Sequence, residues 1–384
     1  MLTVKYIHSL AEIPAQAWNA LSDAASDPFV AHAWLEAFEA AGCVGDGTDW
    51  QPRHLTLWRD NELVAAAPAY IKDTSDGDFS RDWDWADAAL RAGIPYYPKL
   101  VIGVPFTPVT GRRFLVRAGE PTSECVSLLI NAARALSHTE GCHVTQVLYC
   151  HAEEAGALET AGWTRRVDFQ YHWRNQNYRD LDQFWSRFDS KRRNQLKRER
   201  RAPAEQGIVL ETVRGDEIAR DPLAWAELVY RLHRSTIDKL RWGRAWLNQA
   251  FYERVFTRYS APLEVVTARR SGEIVAGAFN LATPTHLYGR YWGCFEEHRY
   301  LHFNVCFYHS IEECIRRGIA VFEGGAGGEH KIARGFEPMQ MISAHAFSNP
   351  RLEAPMRAHL LREAAQREQA LAEWRERSPI LKKT

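Results

Sequence analysis

The sequence runs to 384 residues, more than one ordinary core buries, so two domains are expected. Hydrophobic residues at 46% and charged residues at 25% exclude a disordered chain, and a formal net charge of zero excludes any whole-molecule attraction to nucleic acid or anionic membrane. Met1 to Ala11 lacks the apolar run of a signal peptide, no stretch nears the roughly 18 apolar residues of a membrane span, and the seven cysteines form no Cys-x-x-Cys pair; a cytoplasmic protein with free thiols is expected.

In chain order, two short helical patterns at Ile13 to Leu21 and Ala33 to Ala41 lead into a strand pair, Arg53 to Trp58 and Leu63 to Ile71, turned at Asp60-Asn61. The acidic and aromatic run Asp82 to Asp87 starts a short helix to Ala92. Pro95, Pro98, Pro105 and Pro108 punctuate the segment Tyr96 to Val109, which predicts a sheet edge or a groove-lining loop. A helix at Glu120 to Ser137, a strand at His143 to Cys150, a helix at Glu153 to Ala161 and a strand at Asp168 to Trp173 close the first half.

The polar stretch Asn175 to Asp182 marks the boundary, giving domains 1–176 and 177–384. The second opens with a charged helix from Leu181 to about Ala204, whose basic part spans 189–204. A strand at Val209 to Val213 and helices at Pro222 to Leu240 and Ala245 to Tyr259 follow. Leu263 to Arg269, Ile274 to Ala282 and His286 to Trp292 read as an antiparallel meander. A helix at Leu301 to Arg317 ends at Gly318, and a buried strand Ile319 to Phe322 enters the loop Gly324-Gly325-Ala326-Gly327-Gly328. Met339 to Phe347 reads as the last strand and Pro355 to Arg377 as the last helix.

Three stretches carry a resemblance. They are Asp82 to Asp87 with Gly93 to Leu100 and Val104 to Gly111; Tyr288 to Cys294 with Leu301-His302-Phe303; and Phe322 to Phe336. Together they resemble the FemAB-like family of N-acyltransferases related to peptidoglycan biosynthesis. The resemblance implies an α/β (α+β) fold of two tandem GNAT-like (acetyltransferase-like) domains, mixed sheets flanked by helices, in which the central strands splay to admit an acyl donor. It implies transfer of an acyl or aminoacyl group, from acyl-CoA or aminoacyl-tRNA, to an amine acceptor such as a peptidoglycan precursor, with no tightly bound cofactor. The chain departs from the family at Gly324 and Gly327, where proline and glutamine are usual, and at Asn304, where an acidic residue is usual.

Acyl transfer to an amine needs a proton acceptor, oxyanion stabilisation and a protonated leaving group. Gly324, Gly325, Gly327 and Gly328 leave a strand and offer backbone N–H groups to a phosphate or oxyanion. Glu329 or His330 is the candidate proton acceptor, and Lys331 and Arg334 the candidate cations. Asp82, Trp83, Asp84, Trp85 and Asp87 combine carboxylates with aromatic walls suited to an amine, although the same run also suits a helix start packed by its tryptophans. Tyr96 and Tyr97 are candidate groove walls, and Tyr291, Trp292 and His302 candidate channel residues.

Lys191 to Arg201 holds seven cations and one carboxylate, with Arg193, Lys197 and Arg201 at i, i+4. Like charges at that spacing oppose the helix, so an anionic partner is expected, a diphosphate or the acceptor stem of a tRNA. No DNA partner is expected. His298 and His302 are four apart but no glutamate follows His298, so no metal site is expected. The competing reading is a non-catalytic RNA-binding or scaffold protein on the same fold.

Overall fold

The computed structural model describes residues 2–23, 25–239, 243–378 and 380, and for Glu329 and Arg377 the backbone course alone. The chain forms two compact units, Met1–Asp168 with Gln340–Glu368, and Phe169–Met339 with Gln369–Thr384. They differ from the contiguous division at 176/177 mainly at the C-terminus. There the strand Glu337–Phe347 pairs with Val144–Cys150, placing Ile342, Ala344 and Ala346 on the first unit's core. Apolar alternation in that strand finds its buried face far back in sequence.

The first unit holds an antiparallel sheet in the order Leu2–Ile7, His54–Arg59, Glu62–Ala67, Leu115–Val116. Its hairpin turns at Asp60, φ 54°, as the Asp-Asn step predicts. Leu2–Ile7 is a strand that the sequence reading did not include; Thr3, Lys5 and Tyr6 are exposed and its apolar Leu2 and Val4 only half-buried. A second run of strands follows the order Glu337–Phe347, Val144–Cys150, Lys99–Ile102, Ala69–Lys72, Gln51–Pro52. Helix Thr122–Thr139 lays Cys125, Leu129, Ala133 and Leu136 against Leu57, Val64 and Val147.

The proline-punctuated segment is not an edge. Lys99–Ile102 lies between two strands, antiparallel to Ala69–Lys72 and parallel to Val144–Cys150. Its prolines all fall outside the four paired residues, so no ladder donor is lost. The strand opens with a fully buried lysine. Lys99 Nζ lies 2.8 Å from Asp78 and 2.9 Å from Asp82, and both carboxylates are fully enclosed. Asp82 also accepts from the Tyr96 hydroxyl at 2.7 Å and from Gln146 Nε2 at 2.5 Å.

In the second unit Ile208–Arg214, Leu263–Arg270, Glu273–Ala282 and His286–Cys294 form the antiparallel meander, with the 271–272 turn as expected. Val321–Glu323 then adds in parallel to His286–Cys294. Helix Pro222–Ile237 packs on this sheet so closely that a Cβ on Gly293 would stand 1.8 Å from the Leu232 carbonyl oxygen; only glycine fits there. The predicted end of this helix at Leu240 lies outside the described residues.

The charged helix expected from Leu181 is two helices, Leu181–Trp185 and Ser190–Glu205. Asp189 breaks it by capping the second, accepting from the Arg192 amide at 2.8 Å. The helix expected at Leu301 to Arg317 runs through a wide π-type turn at Asn304–Tyr308. Among the described residues no helix is long and apolar enough to cross a membrane.

Replacing Lys99 by methionine leaves Asp78 and Asp82 buried without their cation. Removing one partner of such a group is expected to cost about 3 kcal/mol or more, read as a lower urea midpoint for Lys99→Met than for the native protein.

Candidate active site

The parallel pairing between His286–Cys294 and Val321–Glu323 covers three residue pairs, ending at Tyr288↔Glu323. Beyond it the strands part. The first turns irregular, with Arg290 as an extra residue opposite the step from Phe279 to Asn280; bulges of this kind re-aim side chains. The second leaves through Gly324, where a Cβ would meet the Phe336 ring at 2.9 Å. Gly325, Gly327 and Gly328 follow with φ of 79°, 73° and 91°, a left-handed path that other residues adopt at a cost.

The gap so formed is a cavity of about 290 Å³. Its walls include Gly324, Gly325, Gly327, Gly328, His330, Lys331, Tyr291, Trp292 and His302, so nine of the sequence-predicted site residues meet in one place. Arg290, Asn280, Cys306 and Phe307 also line it. Arg290 lies within the Tyr288 to Cys294 stretch but was not singled out, and the other three carried no motif of their own, though Cys306 sits four residues after His302 on the same helical stretch.

Lys331 and Arg334 were expected as adjacent cations facing a ligand, and the structure separates their roles. They occupy a 3₁₀ turn, Glu329–Arg334, and both are buried. Lys331 donates from Nζ to the Gly325 carbonyl at 2.6 Å and lines the cavity. Burial pulls its amine down to about 8, only partly opposed by Cys306. Arg334 instead turns away from the cavity lining, 2.8 Å from Glu199 and 3.4 Å from the Phe303 ring. Its charge is matched within the protein, which removes it from the set of free phosphate-binding cations.

The histidines are held neutral. Burial, with His330, Arg334 and Lys331 nearby, lowers His302 to about 4. The same forces lower the more exposed His330. The His302 ring lies tilted at 4.8 Å from Trp292 and edge-on at 6.2 Å from His330. Tyr291 is held between Phe279, at 6.5 Å, and His233, at 4.1 Å, whose Nδ1 is hydrogen-bonded to the Tyr252 hydroxyl at 2.6 Å. The Glu329 side chain lies outside the described residues. Among the described residues no carboxylate lines the cavity, and no group of three His, Cys, Asp or Glu is placed to hold a metal ion.

The remaining predicted residues lie elsewhere. Asp82, Trp83, Asp84, Trp85, Asp87, Tyr96 and Tyr97 belong to the first unit. Asp82 and Tyr96 face inward in the Lys99 network, and Trp85 is buried under the Arg166 guanidinium at 4.3 Å. Only Trp83, Asp84 and Asp87 of that run are exposed, while Tyr97 is half-buried with its hydroxyl on Ser75 at 2.7 Å. The amine-binding role expected of the whole run therefore does not extend to Asp82: Lys99 already holds its charge. On the basic helix Lys197 pairs with Asp182 at 2.7 Å and Arg193 is partly exposed.

The first unit has a comparable divergence, and its own chain fills it. Past Ile102↔Val147 the parallel pairing stops. Arg113, nearly fully buried, donates to the carbonyls of Leu148 at 2.7 Å and Val109 at 2.6 Å, and the Gly111 amide donates to Tyr149 at 3.1 Å.

A model of the FemAB-like family, described as peptidoglycan biosynthesis/recognition, matches residues 9–382. No curated protein matches the sequence. Among solved structures, FemX aligns with 92% of this chain and 100% of its own, at 12% identity and a TM-score of 0.52. The C-terminal domain of a putative lysylphosphatidylglycerol synthetase from Agrobacterium fabrum aligns with 92% of this chain and 98% of its own, at 14% identity and a TM-score of 0.51. At such identities these likenesses establish the fold, which is the tandem GNAT-like one.

The lysine in the cavity has a signature in stability. The folded state holds its amine at about 8 and the unfolded chain at the ordinary 10.5. Between those values the unfolded chain binds more protons, so stability rises with pH across that window. Native protein is expected to gain on the order of 2–3 kcal/mol from this group between pH 8 and pH 10.5, and Lys331→Met to lose that gain, as measured by denaturant unfolding at each pH.

Proposed function

The chain belongs to the FemAB-like family, which matches it over residues 9–382, and on that premise we propose that it is an N-acyltransferase or aminoacyltransferase acting on an amine acceptor, with the second unit's cavity as the reacting site. The observation that carries the reading is the open divergence of two parallel strands beside a glycine loop, with the Lys331 amine buried in its wall. An acyl carbonyl entering there meets a cationic or amide donor on one side and neutral imidazoles on the other.

The acceptor amine attacks the acyl carbon, and the carbonyl oxygen becomes an oxyanion. Lys331 as ammonium, or an amide of the Gly324–Gly328 loop, donates to that oxygen. His302 and His330 are neutral at pH 7, so either imidazole has a nitrogen to take the proton the amine releases. Collapse of the intermediate breaks the C–O bond of an aminoacyl-tRNA or the C–S bond of an acyl-CoA, and the leaving oxygen or sulfur takes that proton. Tyr291 and Trp292 wall the channel.

The basic helix favours the tRNA donor. Lys191, Arg198 and Arg201 are exposed along it, as suits backbone phosphate contacts. The family's description as peptidoglycan biosynthesis/recognition favours a peptidoglycan precursor as acceptor.

The test is transfer by the full-length protein from labelled aminoacyl-tRNA or labelled acetyl-CoA to lysine-containing peptidoglycan precursors. One donor is expected to be consumed with amide formation. Lys331→Met is expected to lower kcat by about 100-fold or more, the size of one oxyanion donor. If tRNA is the donor, binding weakens steeply between 50 and 200 mM salt. Tight, salt-sensitive tRNA binding without transfer to any amine would favour the non-catalytic RNA-binding reading instead.

A further inference from the structure

The basic helix Ser190–Glu205 has one carboxylate among its cations up to Arg201, and it is the most deeply buried residue of the charged stripe. Glu199 is 2% exposed. It accepts from the Tyr308 hydroxyl at 2.5 Å, from Arg334 Nη2 at 2.8 Å and from Gln195 Nε2 at 2.8 Å. Burial opposes its ionisation, but Tyr308 and Arg334 outweigh burial and hold the carboxyl below its usual range.

Arg334 passes this anchorage on. Its Nη1 donates to the His330 carbonyl at 2.9 Å, inside the turn that carries His330 and Lys331. From the same helix Arg192 Nε donates to the Ala333 carbonyl at 2.8 Å. The Asn304 amide in turn donates to the Glu199 carbonyl at 2.8 Å. The turn is therefore tied to the inner edge of the helix near its start, at His330 through Arg334, and directly near its end, at Ala333.

We propose that Glu199 is a positioning residue: through Arg334 it fixes the 329–334 turn, and so sets where Lys331 and His330 stand at the cavity wall. The basic helix thus has two faces with separate work, an outer one of cations and an inner one that sets the site's geometry. This rests on the cavity being the reacting site, as proposed above, but its test does not need the substrate.

The groups interacting with the Lys331 amine are the Gly325 carbonyl that accepts its hydrogen bond, Cys306 from the neighbouring helical stretch, His302 and His330, and His172 from the strand Thr164–Arg174. None is a carboxylate that Glu199 substitution would unmask. Loss of the anchor acts on the amine by letting the turn move toward solvent.

The experiment is acetylation of the intact full-length protein with acetic anhydride across pH 6 to 11, with Lys331 labelling read by peptide mass spectrometry. The native protein is expected to show a labelling midpoint well below that of its exposed lysines. Glu199→Gln is expected to raise the midpoint by at least one pH unit. Glu199→Leu with Arg334→Met removes both charges together, which spares the fold an unpaired buried ion, and is expected to raise it likewise. An unchanged Lys331 midpoint in folded protein of either variant, with only the melting temperature lowered, overturns the proposal. Where transfer is measurable, Glu199→Gln is expected to lower kcat at least tenfold with KM within twofold. Absence of transfer in native protein would sink the acyltransferase reading while leaving the labelling result to stand or fall alone.

Discussion

Two parallel strands that diverge expose backbone N–H and C=O groups on their facing edges, and those groups must find partners. Both units of this chain contain such a divergence and resolve it in opposite ways. In the first, Arg113 and the Gly111 amide cap the free edge of Val144–Cys150 with hydrogen bonds to Leu148 and Tyr149. In the second, the edge beyond Tyr288 opens onto a cavity beside a loop of glycines. The same topological device thus ends as packed core in one unit and as an open cavity in the other, with a buried arginine filling the first.

The Glu199–Arg334 pair shows why charge must be read together with burial. A stripe of seven cations invites an electrostatic reading, yet its one carboxylate has the larger structural consequence because it is out of water. The net free energy of such a pair is small, since desolvation offsets most of the attraction. Its geometric effect is not small. Three donors converge on one carboxylate, and one of them, Arg334, also grips the backbone of the turn beneath the cavity.

Much of this was legible in the sequence where the information is local. The meander was visible because apolar alternation and the Ser271-Gly272 turn are short-range signals. The glycine loop, Lys331, His302 and Tyr291 were found as motif residues, and they meet at the cavity. What escaped depended on partners distant in sequence. Glu199 and Arg334 are 135 residues apart, and no pattern pairs them. Asp82 reads as an exposed ligand until Lys99, 17 residues on, is seen to hold it. Prolines around Lys99–Ile102 masked a central strand because they flank it without entering it.

Two of the buried lysines, Lys99 and Lys331, separate support from chemistry. Burial pulls both amines down, but Asp78 and Asp82 outweigh it at Lys99 and raise that group above its ordinary value. Lys99 is therefore a fixed cation, a strut whose protonation no physiological change alters. Lys331 has a carbonyl oxygen where Lys99 has two carboxylates, and it falls to about 8. A protein that needed Lys331 only as a strut would gain by giving it an acid partner. Leaving it without one among the described residues keeps the amine within reach of proton exchange near neutral pH.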